Sequence, residues 1–275
     1  MQFLIITGKI LTKIKRFKNI FLVLLLIFIL NSNATSGSHS RHNRIIKKAI
    51  ALHKKLENNH HWSITGASNL GNEIFIREFG QGPKTVLIIG GIHGDEPASV
   101  IAVIKLAKQL EKNPGLIKNR AVLIPCLNPD GLSIGTRTNG NGIDINRNFP
   151  SSTWSSEYIK DHNNPGQEPV SEPETLTAVE AVNIYHPAMV IQMHQPFGAI
   201  YPDNNTPIEI AEKMSLITGF PISHDIGYTT PGSLGSFTAQ HKNKIMCITY
   251  ELGRVDREPD YDAVTGSLIE AINFP

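Results

Sequence analysis

The sequence predicts an α/β fold, a mixed and largely parallel sheet with helices on both faces. Three observations carry this reading. Short β-branched runs alternate with helical segments from residue 72 onward. Several of those runs are apolar throughout, as strands covered on both faces are. Helical segments such as Pro97 to Leu110 stand between several of them, as crossovers between parallel neighbours do. No internal repeat interrupts the pattern, so one main domain is expected over residues 70–275, preceded by a linker and N-terminal helix over 35–69 and a distinct segment over 1–34.

The elements follow in order. Ile45, Ile46, Ala49, Ile50, Leu52 and Leu56 fall at helical spacing after a polar stretch over 35–43. Ile74 to Phe79 and Thr85 to Ile89 read as strands, Pro97 to Leu110 as a helix and Ala121 to Leu127 as the next strand. Residues 128–170 are rich in Gly, Asn, Pro and Ser and read as irregular. Glu172-Pro173-Glu174 then opens a helix, with proline in its first turn and acids at its positive end. Ala188 to Met193 is a strand, Ile208 to Thr218 a helix, the Gly/Ser/Thr-rich stretch after it a loop, Ile245 to Glu251 the last strand and Asp262 to Asn273 the last helix.

The first 34 residues are of another kind. Lys9, Lys13, Lys15, Arg16 and Lys18 precede an unbroken apolar run, Ile20 to Leu30. That run is short of the roughly 20 residues a finished membrane span needs, and Ser32-Asn33-Ala34 has the small-x-small form of a cleavage site. The segment reads as a signal peptide or, uncleaved, as an N-terminal membrane anchor. Either form implies export to the periplasm, soluble or held at the inner membrane. The segment carries five of the 26 basic residues and none of the 24 acidic ones, leaving 21 basic against 24 acidic, a net charge of −3. That balance argues against a nucleic-acid partner. Cys126 and Cys247 lie in apolar strands without CxxC spacing and read as buried free thiols.

The chemistry gathers at the carboxyl ends of strands, where open α/β sheets place their binding crevice. His93 follows Thr85 to Ile89, Asn128 follows Ala121 to Leu127, His194 follows Ala188 to Met193, and Glu251 closes the last strand. In Gly90-Gly91-Ile92-His93-Gly94-Asp95-Glu96-Pro97 the glycines turn the chain, and His93 and Glu96 stand three apart at a helix entrance. With His194 they form a two-imidazole, one-carboxylate set that suits a catalytic zinc, one per chain, with a coordination position to spare. Asp95 remains an alternative to Glu96. His39, His42, His53, His60, His61, His162, His186, His224 and His241 read as solvated.

Through His93-x-x-Glu96, Asn128-Pro129-Asp130-Gly131, Arg137, Asp144-x-Asn146-Arg147-Asn148-Phe149, His194 and Glu251, over roughly residues 72 to 255, the sequence resembles the zinc carboxypeptidase family. The resemblance implies a carboxypeptidase-like fold, zinc held by His93, Glu96 and His194, Glu251 as general base, Arg137 polarising the scissile carbonyl, and Asn146 with Arg147 clamping a substrate carboxylate. The chemistry agrees, since a guanidinium suits both a developing oxyanion and a planar carboxylate. Asp144 is expected to accept a hydrogen bond from His93 and fix its tautomer.

Pro165-Gly166-x-Glu168, Glu172-Pro173-Glu174-Thr175, Pro231-Gly232-Ser233-Leu234-Gly235-Ser236 and Cys247-Ile248-Thr249 resemble, more narrowly, short bacterial members. These imply murein peptides or peptidoglycan stem peptides as substrate, cut at the γ-D-glutamyl-diaminopimelate amide. Other readings are a general metallocarboxypeptidase on protein-derived peptides, a deacylase of N-acyl amino acids, and an inactive wall-binding module. Ser233 to Gln240 lacks the tyrosine of larger carboxypeptidases, and Tyr228 substitutes only if its loop folds inward. His241, Lys242 and Lys244 read either as a solvated tip or as an attraction for a second substrate carboxylate.

Overall fold

The computed structural model describes residues 37–275. The basic and apolar segment read as an export signal lies outside the described residues. Among the described residues, no helix is long and apolar enough to cross a membrane. Residues 37–42, expected as linker, are helical. Residues 43–275 form one compact unit, so the helical residues 43–54 (α1) and the strand that follows pack with the main body. Ile45, Ala49 and Leu56 are buried in its core.

Seven strands form one sheet in the order β1-β2-β4-β3-β5-β7-β6. They are β1 (Ser63–Ala67), β2 (Glu73–Phe79), β3 (Thr85–Ile89), β4 (Arg120–Ile124), β5 (Met189–His194), β6 (Ala199–Pro202) and β7 (Met246–Glu251). The central four, β4, β3, β5 and β7, run parallel, whereas β1, β2 and β6 pair antiparallel at the margins. The helices are α2 (Pro97–Lys112), α3 (Pro129–Ile134), α4 (Pro173–Tyr185), α5 (Ile208–Thr218), α6 (Leu234–Gln240) and α7 (Tyr261–Ile272).

Alternation along each strand divides the core. Val86, Ile88, Leu123 and Ile191 face a layer built with α2 and α7. Leu87, Ile89, Val122, Ile124 and Val190 face Ala178, Ala181 and Val182 of α4. Both faces are covered, as the uninterrupted apolar runs require. At roughly 1.5–3 kcal/mol for each large aliphatic side chain removed from water, these two layers hold the parallel strands in place.

Two elements differ from expectation for local reasons. The Gly/Ser/Thr-rich stretch before β7 contains α6, because Ser233 caps it by accepting a hydrogen bond from Ser236 N–H at 3.1 Å. Residues 128–170 include α3, capped in the same way by Asn128.

Candidate metal centre

The four parallel strands end side by side, and the chain leaves β3, β5 and β7 into the same cleft. After β3 the backbone turns through Gly91, whose φ of +56° favours glycine. His93 and Glu96 follow, with Glu96 at the N-cap of α2. Gly94 lets this turn lie against α3, since a Cβ there would stand 1.9 Å from the carbonyl carbon of Gly131. His194 is the last residue of β5, and the register pairs it directly with Glu251 on β7.

Three potential ligands converge. His93 Nδ1 lies 2.8 Å from Glu96 Oε1, His194 Nδ1 lies 2.9 Å from Glu96 Oε2, and the two Nδ1 atoms are 3.1 Å apart. His93, Glu96 and His194 are all buried, and they form the metal-capable cluster found among the described residues. Asp95 lines the cleft beside them without joining that cluster.

Two imidazole nitrogens this close cannot both present lone pairs to each other without a cation between them. Donors about 2.0–2.1 Å from a tetrahedral zinc stand about 3.3 Å apart, close to the separations seen. The second ring nitrogens have partners of their own. His93 Nε2 lies 3.2 Å from Asp144 Oδ1, and His194 Nε2 lies 3.3 Å from Gln192 Oε1. The Asp144 carboxylate draws the His93 ring proton to Nε2 and leaves Nδ1 free to coordinate, while His194 Nε2 stands between the Gln192 oxygen and the Asn146 amide nitrogen. The residues present therefore fit zinc.

The electrostatics point the same way. Burial and Arg137 act to lower the pKa of His93, but Glu96 and Asp144 raise it to about 9. Burial keeps His194 below its ordinary value. Burial also works against ionisation of Glu96, yet His93 and His194 hold its carboxyl well below the usual range. Burial, then the charge of Glu96, pushes Glu251 up to about 8, opposed by the Phe197 N–H, which donates to Glu251 Oε2 at 3.3 Å.

Arg137 borders the cleft, with Nε 2.9 Å from Asp144 Oδ2 and Nη1 3.2 Å from His93 Nδ1. Asp144 is fully buried. Its Oδ1 also accepts from Asn146 N–H at 2.9 Å, so one carboxylate orients His93, Arg137 and the turn that carries Arg147. Arg147 lines the cleft and donates to Asn146 O at 2.7 Å. The Asn146 amide reaches in two directions. Its Nδ2 lies 3.2 Å from His194 Nε2, and its Oδ1 accepts from Leu234 N–H at 2.9 Å, tying the start of α6 to the centre.

The cleft encloses about 1300 Å³. Tyr228 stands half-exposed on its wall. Burial raises the pKa of its hydroxyl, which also feels the charges of Arg137, Glu251, Arg147 and Glu96. Asn128 does not line the cleft. It braces the loops behind it, donating to Ile92 O at 3.3 Å and Arg137 O at 3.2 Å. His241, Lys242 and Lys244 are not among the lining residues, whereas His162 and His224 are.

His53 is buried rather than solvated, its ring edge-on to Phe75 with centroids 5.4 Å apart. Cys126 and Cys247 are free and buried, and burial pushes the Cys247 thiol up to about 12. Sequence reasoning missed Gln192, although it sits two residues before His194 on the same strand face, and that spacing was the signal.

Residues 45–213 match the model of the zinc carboxypeptidase family. The chain belongs to this family. Among curated proteins it is 35% identical over 176 residues to murein peptide amidase A of Escherichia coli K12, a match covering 60% of this chain and 69% of that protein. The namesake from Vibrio campbellii is 29% identical over 177 residues, covering 60% and 68%. Among solved structures, the murein-tripeptide amidase of Escherichia coli O157 superposes with a TM-score of 0.61 at 27% identity, covering 77% of this chain and 89% of that one. Bovine thrombin-activatable fibrinolysis inhibitor, at 18% identity and a TM-score of 0.66 over 84% and 94% of the chains, shares the fold. The protein is thus a hydrolase of a zinc-dependent family, with a carboxypeptidase-like α/β fold.

Proposed function

We propose that this chain hydrolyses the γ-D-glutamyl-meso-diaminopimelate amide of murein peptides, with one zinc ion held by His93, Glu96 and His194. The observation that carries the proposal is the meeting of the two Nδ1 atoms and the Glu96 carboxylate directly beside Glu251, in a chain 35% identical to a murein peptide amidase. A bound zinc ion supplies Lewis acidity, bringing the pKa of water down towards about 7 and polarising a carbonyl.

The side chains divide the remaining work. Glu251 takes a proton from the attacking water and delivers it to the leaving amine, the exchange expected of a carboxylate standing beside the metal ligands. Arg137, oriented by Asp144, meets the charge that develops on the carbonyl oxygen. Arg147 takes the substrate's free carboxylate, a planar partner that matches its guanidinium. Asn146, expected beside Arg147 in that clamp, has its amide engaged with His194 and Leu234 N–H and braces the turn that presents Arg147. Export is part of the proposal, supported by the basic and then apolar order of Lys9 to Leu30. Fractionation that found the protein in the cytoplasm at full mass would refute export alone.

Mass spectrometry of products from L-Ala-γ-D-Glu-meso-diaminopimelate, with and without a chelator, tests the activity. Release of free diaminopimelate that the chelator abolishes is expected. An intact tripeptide from zinc-loaded protein would overturn the substrate and direct attention to protein-derived peptides.

A further inference from the structure

Where β5 ends, the segment from His194 to Gly198 turns back towards β6, and its second residue has no part in the chemistry described so far. Gln195 is 2% exposed. Its backbone N–H donates to Glu96 Oε2 at 3.1 Å, the same oxygen that faces His194. Its side-chain Oε1 accepts from Ala98 N–H at 3.0 Å, in the first turn of the helix that Glu96 begins. Its Nε2 donates to the carbonyls of Gly253 and Arg254, both at 3.1 Å, two and three residues beyond Glu251. Phe197 N–H then reaches Glu251 itself.

Sheet pairing sets the backbones of β5 and β7 as far as His194 and Glu251, and Leu252 N–H donates to His194 O at 2.8 Å just beyond them. Past that point the chain turns through Gly253, at φ +76°. The Gln195 amide acts where the ladder stops. It spends one acceptor on the helix that carries a metal ligand and both donor hydrogens on the chain leaving the base.

We propose that Gln195 is a positioning residue that fixes the Glu251 carboxylate relative to Glu96 and the metal centre. The proposal rests on the reading of Glu251 as the base. A general base must stand within about 2.6–3.2 Å of the group whose proton it takes, and a misplacement of about 1 Å can cost about 100-fold in rate. Gln195→Met keeps the length of the side chain and removes all three hydrogen bonds. Gln195→Glu keeps an acceptor for Ala98 but loses the donors to Gly253 and Arg254, and so isolates the contact on the side of the base.

Both variants are to be made in the full chain, with zinc content, kcat and KM measured on the murein tripeptide and on a hippuryl-type peptide. Amide hydrogen exchange is read at Phe197 and Leu252. The expected result is retained zinc, KM within about threefold of the parent and kcat lowered about 10- to 100-fold in both variants. Exchange at Phe197 and Leu252 should accelerate at least about tenfold, while the centres of β5 and β7 stay protected.

Unchanged exchange at both amides overturns the proposal whatever the activity. So does zinc loss in both variants, which would make Gln195 a support of the metal alone, or an unaltered kcat. A parent protein that cuts only the hippuryl peptide would sink the murein reading and leave the Gln195 comparison intact. One that cuts neither peptide leaves the exchange result to decide.

Discussion

Asp144→Asn changes one atom in a fully buried side chain and separates shape from charge. In the parent, one carboxylate oxygen faces His93 Nε2 at 3.2 Å and Asn146 N–H at 2.9 Å, while the other takes the Arg137 guanidinium at 2.9 Å. An amide keeps only one of these arrangements. With its oxygen towards His93, its NH2 group opposes the donors of Arg137, which loses its nearest anion while standing 3.2 Å from His93 Nδ1. With its NH2 group towards His93, it forces the proton onto Nδ1, the nitrogen needed for coordination. Losing such an orienting carboxylate typically costs about 10- to 100-fold in metal affinity, equivalent to about 1.4–2.7 kcal/mol. That is the size of one hydrogen bond to a charged group. Competition for zinc against a chromophoric chelator measures it directly. An affinity within about twofold of the parent would refute the claim that Asp144 sets the His93 tautomer.

Two further substitutions test the frame. Burial lowers the pKa of His53 from 6.5 to about 4, so the unfolded chain binds the extra proton between those values, and folding stability falls by about 3 kcal/mol as pH drops through that window. His53→Leu removes this component, so urea unfolding should show a smaller loss between pH 7 and pH 4 than in the parent; equal losses would contradict the burial argument. Asn139→Asp puts a third carboxylate against Glu172 and Glu174, whose oxygens now accept from the Asn139 amide at 2.7 and 3.0 Å. Destabilisation of about 3–5 kcal/mol is expected at neutral pH, a fall in Tm of about 10 °C; an unchanged Tm would mean that this turn is not held by those bonds.

Much of the centre was legible because strand ends are. The apolar runs leading to His93, His194 and Glu251 admit few readings other than buried parallel strands, and the crevice beyond such strands follows from topology. β1 and β6 were not legible, since both are short edge strands and β6 contains Pro202. The α6 helix escaped notice because Gly235, Ser236 and Thr238 have loop composition, and only the capping geometry of Ser233 reveals the helix. His53 shares its helix with polar neighbours, and its burial depends on Phe75, brought alongside by a fold that local pattern does not encode. The lysines before β7 do not line the cleft, where Gly235, Ser236 and Ala239 of α6 do, and Gln192 and Gln195 act through partners up to 99 residues away, a distance no local motif records.

The central claim is a division of labour in which His93, Glu96 and His194 hold the metal while Glu251 moves the proton. Zinc content and turnover of Glu251→Gln, measured on one preparation beside His194→Ala, test it most directly. The account predicts about one zinc per chain in the Glu251 variant with activity down at least about 100-fold, and little zinc in the His194 variant. A Glu251 variant that lacks zinc, or that keeps zinc and turns over at the parent's rate, would contradict it.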